Sequence, residues 1–92
     1  MIEKKVKIVN KYGLHMRPGM MLTELAESFD SDITIIKDSI KANGKSIMSV
    51  TMLAVLVNDE IIIRAEGSDE NEAIDSIVKL IKNKFSEILS EK

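Results

Sequence analysis

The chain has 92 residues, 45% of them hydrophobic and 30% charged, with a formal net charge of −2, which predicts one soluble domain over residues 1–92. The absence of cysteine excludes disulfides, thiolate catalysis and zinc–thiolate sites. Aromatic residues make up only 3% and the net charge is negative, so we expect no nucleic-acid partner. The start MIEKKVKIVN lacks the apolar stretch of a secretory signal, and no apolar run reaches the ~18–20 residues of a membrane span. We therefore expect a cytoplasmic protein without membrane insertion.

The first half of the chain predicts a strand, a helix and a hairpin. Polar and apolar residues alternate over 4–10, KKVKIVN, which indicates a half-buried strand. Residues 18–29, PGMMLTELAESF, carry apolar side chains at the spacing of an amphipathic helix. The β-branched segment 33–37, ITIIK, predicts a second strand. Turn-forming residues at 38–39 and a short return strand at 40–42 complete the hairpin.

The second half predicts a short helix, a strand and a long helix. Ser46 is a good N-cap for a short helix that ends at Leu53. Residues 60–66, EIIIRAE, indicate the longest strand. Asp69 followed by Glu72 resembles the capping box of a last helix. The apolar stripe of that helix is expected at Ile74, Ile77, Val78, Ile81, Phe85 and Ile88.

The predicted order of elements is β-α-β-β-α-β-α. Four short, half-buried strands and amphipathic helices favour an α+β fold in which one antiparallel sheet has its helices on one face. The neighbouring topology is a ferredoxin-like split βαβ, which lacks the short helix after the second hairpin strand.

The most informative segment is GLHMRPG at 13–19, which contains the only histidine and the only proline. If His15 is the N-cap of the first helix, Pro18 is the third helical residue, and the free amides of Met16 and Arg17 face the imidazole. A helix N-terminus binds anions, and a guanidinium is suited to phosphate oxygens. These features favour a histidine that carries a phosphoryl group. A solvated loop histidine remains the alternative, and the residue preceding proline disfavours α geometry, which would start the helix one or two residues later.

Three segments together resemble the HPr family, the histidine-containing phosphocarriers of the bacterial phosphotransferase system. GLHMRPG resembles the active-site signature of that family. Residues 44–50, GKSIMSV, resemble the regulatory-serine segment of its Gram-positive members, and residues 65–73, AEGSDENEA, resemble the junction before the last helix. The resemblance implies an HPr-like open-faced β-sandwich, with a four-stranded antiparallel sheet and three helices on one face.

The resemblance also implies a mechanism. Enzyme I, charged by phosphoenolpyruvate, would pass a phosphoryl group to Nδ1 of His15, and the protein would deliver it to a IIA protein or domain for sugar uptake. The chain would act as a stoichiometric carrier rather than an enzyme, with no metal or other cofactor. Arg17 would stabilise the phosphate, together with the backbone amides of Met16 and Arg17. We expect a monomer, because one face must serve several partners.

Further roles follow from the same resemblance. Ser46 would be phosphorylated by an HPr kinase/phosphorylase, and a transcription regulator is a further candidate partner. Met20, Ile47 and Met48 would contact partner proteins, whereas helical spacing places Met21 and Met52 in the core.

The chain departs from the family pattern near these sites. Tyr12 stands where a small polar residue is common, Met16 and Gly19 replace alanines, and Ser49 and Ala54 replace glycines. These departures keep open a regulatory interaction module that works through phosphoserine, or a nitrogen-related branch of phosphotransfer. A small-ligand or metal-binding α/β domain is disfavoured, because the sequence holds one histidine and no cysteine.

Overall fold

The computed structural model describes residues 1–85, which form four strands and three helices. The strands are β1 (Ile2–Lys7), β2 (Asp32–Lys37), β3 (Ile40–Asn43) and β4 (Glu60–Glu66), and the helices are α1 (Met16–Glu27), α2 (Ile47–Met52) and α3 (Glu70–Lys82). The sheet has the order β1-β4-β2-β3, and every neighbouring pair is antiparallel. The predicted element order and fold class are confirmed.

Strand β4 shows how the sheet acquires one buried face. Ile61, Ile63 and Ala65 are buried, whereas the residues between them lie on the other face and are more exposed, as expected for a strand with one face against the core. Helix α3 packs against β1 and β4, and α1 packs against α2 and α3. All seven elements contribute buried side chains to one core, and each fully buried isoleucine or leucine stabilises it by about 1.5–3 kcal/mol. Within residues 1–85, no helix is long and apolar enough to cross a membrane.

The β2–β3 hairpin closes through a two-residue loop. Lys37 pairs with Ile40, and the intervening Asp38 and Ser39 have φ angles of 51° and 72°. Two successive positive φ angles are the signature of a type I′ turn, whose twist matches that of the flanking strands.

The first two elements begin earlier than the sequence predicts. Strand β1 spans Ile2–Lys7 rather than 4–10, because its register with β4 ends at the pair Lys7–Glu60. Ile8 stays buried and donates its amide to the Asp59 carbonyl, 2.9 Å away, after the ladder has ended. Helix α1 spans Met16–Glu27 rather than 18–29, because the cap lies at His15.

The last helix ends earlier than predicted. Helix α3 stops at Lys82, and Lys84 and Phe85 have φ angles of 59° and 54°. The left-handed backbone turns the Phe85 side chain into the core, where it is completely buried. The prediction of a continuous helix through Phe85 was therefore wrong, and Ile88 lies outside the described residues.

The predicted capping box of α3 is also wrong. Asp69 occupies the N-cap position, but its carboxylate accepts hydrogen bonds from the Asp30 amide and from the amide and hydroxyl of Ser31. Glu70, rather than Glu72, reaches back and accepts from the Gly67 amide at 3.1 Å. The Ser31 hydroxyl, followed by the Asp30 amide, lowers the pKa of Asp69. Asp69 therefore binds the loop between α1 and β2, which is distant in sequence, instead of capping its own helix.

Candidate functional site

His15 lies at the N-cap of α1, which is the earlier of the helix starts that the sequence left open. It is exposed and has extended geometry, with φ −74° and ψ −170°, and its carbonyl accepts the Gly19 amide at 2.9 Å. Pro18 is the third helical residue and is buried, so its missing N–H removes one donor from the first turn. The amides of Met16 and Arg17 have no acceptor within their own helix because of their first-turn positions. The helix does not start later despite the proline that follows Arg17.

A tight loop presents His15 to the helix. The Asn10 side-chain amide donates to the Gly13 carbonyl at 2.6 Å, and the Gly13 amide donates to the Asn10 carbonyl at 3.1 Å. Gly13 has a φ of 70°, and a Cβ at this position would overlap the Val55 carbonyl oxygen. That same oxygen accepts the Leu14 amide at 3.0 Å. Residues 10–14, the histidine loop, therefore pack against residues 53–59, the support segment.

Tyr12 contacts the histidine directly. Its ring meets the imidazole edge-to-face, with 5.9 Å between centroids and planes 85° apart, and Lys11 Nζ lies 5.3 Å from its centroid. Edge-to-face pairs are favourable aromatic contacts, so Tyr12 restricts the orientation of the His15 ring. The sequence marks Tyr12 only as a departure from the family pattern, and this contact was not predicted.

A groove of about 470 Å³ opens beside the helix start. It is lined by His15, Met16, Arg17, Met20, Met21 and Glu24. Met16 and Met20 are exposed, whereas Met21 is half-buried and packs against the core as predicted. Unbranched thioether side chains adapt to irregular surfaces, so a deformable apolar surface adjoins the N-terminus of α1.

Ser46 caps the second helix, as predicted. Its hydroxyl accepts the Ser49 amide at 3.3 Å, and its carbonyl accepts the Val50 amide at 3.0 Å. The side chain is only partly buried. The Ser46 hydroxyl therefore caps the helix and remains partly accessible to solvent.

Helices α1 and α2 meet at Gly19. A Cβ at Gly19 would lie 3.2 Å from Ile47 Cδ1, so the two helices approach closely at this point and Ile47 is half-buried. Met48 and Met52 are 71% and 80% exposed and lie four residues apart on one face of α2. The prediction that Met52 fills the core was wrong, because α2 turns Val50 inward and leaves Met52 on the solvent side.

Within residues 1–85, no three or more His, Cys, Asp or Glu side chains are grouped to hold a metal ion. Lys37 and Asp59 form an ion pair of 3.3 Å at the C-terminal end of the segment that contains Val55. The Leu56 amide is the main group that lowers the pKa of Asp59, with a smaller contribution from Lys37.

Comparison with known proteins identifies the family of the chain. A family model described as the PTS HPr component phosphorylation site matches residues 2–83. Phosphocarrier protein HPr of Treponema pallidum is 39% identical over 87 residues, which cover 95% of this chain and 99% of that protein.

Two solved structures are similar over nearly their whole length. HPr-C-His from Thermoanaerobacter tengcongensis gives a TM-score of 0.91 at 43% identity, covering 94% of this chain and 97% of the other. Crh from Bacillus subtilis, described as a catabolite repression protein with a swapped domain in a dimer, gives 0.73 at 36% identity, covering 91% and 97%. The matched family model, the sequence identity and the shared fold show that the chain belongs to the HPr family of phosphocarrier proteins of the phosphotransferase system.

Proposed function

We propose that His15 is the residue that carries the phosphoryl group. The observation that supports this is its place at the N-cap of α1, exposed and next to the first-turn amides of Met16 and Arg17. Those amides and the positive end of the helix dipole stabilise an anion at the imidazole. The exposed Arg17 guanidinium adds planar, charged donors for phosphate oxygens.

The transfer is a displacement at phosphorus. A phosphohistidine of Enzyme I supplies the group: its phosphorus–nitrogen bond breaks as a new one forms to Nδ1 of His15, and the departing ring takes up a proton while the His15 ring releases its own Nε2 proton. No other reactant is consumed, so the protein contributes positioning and charge stabilisation and acts as a stoichiometric carrier rather than an enzyme. Delivery to a IIA protein or domain repeats the step with phosphorylated His15 as the donor, and we place both steps in the cytoplasm.

The docking surface lies on α1 and α2 beside the histidine. Met20 and Met48 are exposed, and Ile47 is half-buried against Gly19, so the three proposed contact residues belong to two helices that touch. Met52 joins this surface because it is 80% exposed. Methionine-rich apolar surfaces accommodate partners of different shape, which suits a carrier that meets both a donor and an acceptor.

We propose that phosphorylation of Ser46 by an HPr kinase/phosphorylase regulates this docking. A phosphate there adds about −1.5 to −2 charges at the start of α2, next to Ile47 and Met48. A docking face that gains this charge receives Enzyme I less readily. The same phosphoserine is the natural feature for a transcription regulator to recognise.

The Enzyme I assay tests the central proposal. Incubation with Enzyme I and phosphoenolpyruvate should add the mass of one phosphoryl group to the intact protein, and His15→Ala should remain unlabelled. The label should be lost in acid and survive alkali, as expected for a phosphorus–nitrogen bond. An unlabelled wild-type protein, or equal labelling of His15→Ala, would refute the assignment.

Charge substitution tests the regulatory proposal. Ser46→Asp should slow labelling of His15, whereas Ser39→Asp places the same charge in the β2–β3 turn and should not. Equal rates for both variants would remove the basis for regulation at Ser46.

A regulatory module without phosphotransfer is the second candidate, favoured by the similarity to Crh. It predicts no His15 labelling by Enzyme I, so the same assay separates the two. The monomeric state remains a prediction, because relatives in the family form dimers. Sedimentation of the unphosphorylated protein measures it.

A further inference from the structure

Lys37, the last residue of β2, contacts the support segment against which the histidine loop packs. Its Nζ donates to the carbonyls of Leu53 and Ala54 at 3.3 and 3.0 Å and forms an ion pair with Asp59 at 3.3 Å. The side chain is only 19% exposed, so these oxygens replace most of its water. An ammonium group has three N–H donors, so each donor of Lys37 has one oxygen partner.

The groups that Lys37 holds are the two ends of one short segment. Leu53 is the C-cap of the second helix and Ala54 follows it, and Asp59 precedes β4. The Asp59 carboxylate also accepts the Leu56 amide at 2.8 Å, so the middle of the segment is tied to the same cluster. Lys37 therefore holds both ends of residues 53–59 and stabilises their conformation.

This segment carries the histidine loop. The Val55 carbonyl accepts the Leu14 amide at 3.0 Å, and Gly13 lies so close to that oxygen that a Cβ would overlap it. Leu14 directly precedes His15, the N-cap of α1. A shift of the Val55 carbonyl therefore moves the histidine relative to the first-turn amides of its own helix.

The backbone conformation of Ala54 is a second reason why this segment depends on the Lys37 hydrogen bonds. Ala54 has a φ of 54°, a left-handed conformation that alanine rarely adopts. Its carbonyl is the nearest of the three Lys37 contacts. Without the ammonium, the chain would relax toward ordinary φ values at the residue next to Val55.

We infer that Lys37 is a positioning residue for phosphoryl transfer: it holds the 53–59 segment so that the Val55 carbonyl keeps His15 at the N-cap of α1. It touches neither the imidazole nor the phosphoryl group. The inference rests on the proposed role of His15 as phosphoacceptor, but its structural half is tested independently of that role.

Lys37→Met tests the inference, because it keeps the length of the side chain and removes the charge and all donors. Arg64→Met is the matched control: it removes one cation of the same sheet, whose partner is Glu3, away from the support segment. Both variants are assayed well below their thermal midpoints. Lys37→Gln, which retains one donor group, replaces Lys37→Met if the latter does not fold.

We expect Lys37→Met to lower kcat for phosphorylation by Enzyme I roughly 3–10-fold at a nearly unchanged KM, since small misplacements of reacting groups slow transfer steeply. Arg64→Met should leave both constants unchanged. In ¹H–¹⁵N spectra, the Leu14 amide and the His15 ring nitrogens should shift in Lys37→Met and not in Arg64→Met.

Loss of stability in Lys37→Met with wild-type kcat and unchanged His15 ring signals would overturn the inference and leave Lys37 as a purely structural residue. If Enzyme I fails to label the wild-type protein, the proposed function falls. The spectra then still decide whether Lys37 positions His15.

Discussion

Replacement of Ala54 by glycine should stabilise the protein. Ala54 follows the C-cap of α2, its amide donates to the Thr51 carbonyl at 3.1 Å, and its φ is 54°. This is the left-handed position after a helix where glycine is preferred. The residue is exposed, so its methyl group contributes no core packing.

The magnitude follows from two opposing effects. Left-handed geometry costs an L-residue about 1–2 kcal/mol, which glycine avoids. Glycine also loses more unfolded-state entropy on folding, which offsets about 0.4–1 kcal/mol. We expect Ala54→Gly to raise the free energy of unfolding by about 0.5–1 kcal/mol, and the thermal midpoint by about 2–8 °C for a chain of this size.

Ser49→Gly is the matched control, since it introduces the same residue five positions earlier, inside α2. There the backbone is helical, and glycine should lower the free energy of unfolding by about 0.5 kcal/mol. Urea unfolding followed by circular dichroism at 25 °C measures both variants. If Ala54→Gly destabilises the protein as Ser49→Gly does, with an unchanged m value, the reasoning about left-handed strain is refuted.

Three other features lead to measurable expectations. Hydrogen bonding, mainly from the Ser31 hydroxyl, lowers the pKa of Asp69 below its ordinary 3.8, so its carboxylate stabilises the fold above that pH, and this contribution is lost as the pH falls through the folded-state pKa. The urea midpoints of wild type and Asp69→Asn should differ at pH 7 and converge well below pH 3.8, and a constant gap would contradict this. Gly13→Ala should cost at least about 1–2 kcal/mol and slow His15 labelling, because the new Cβ displaces the loop from the Val55 carbonyl, and an unchanged thermal midpoint would disprove the close approach. Met48→Ala, at a 71% exposed position, should change the free energy of unfolding by less than about 0.5 kcal/mol yet raise the KM of Enzyme I for the carrier, and an unchanged KM would remove Met48 from the docking surface.

The candidate site was predictable where its geometry is local. A proline three residues after His15 and the apolar spacing that follows indicate that α1 begins within a few residues of His15, because capping depends only on residues within one turn. The N-cap role of Ser46 followed for the same reason. The helical spacing that indicated Met52 as a core residue failed, because a six-residue helix has too few turns to define one buried face from sequence.

Non-local contacts were not predictable in this way. Asp69 carries the pattern of a helix cap, but it lies within reach of Ser31, 38 residues earlier, and bonds there instead. Phe85 continues the apolar spacing of α3, but the core is reached by ending the helix and turning the backbone. In both cases the same side chain has a local and a distant option, and only the packed fold decides between them.

The sequence by itself determined the order of the elements and a helix start close to His15, because periodicity and capping are properties of a few consecutive residues. The tertiary structure alone decided what surrounds that histidine. The Tyr12 ring beside the imidazole, the Val55 carbonyl beneath the loop and the Lys37 ammonium beneath that segment come together only when the sheet and helices pack. Such contacts join residues far apart in the chain, and no local pattern encodes which of them will meet.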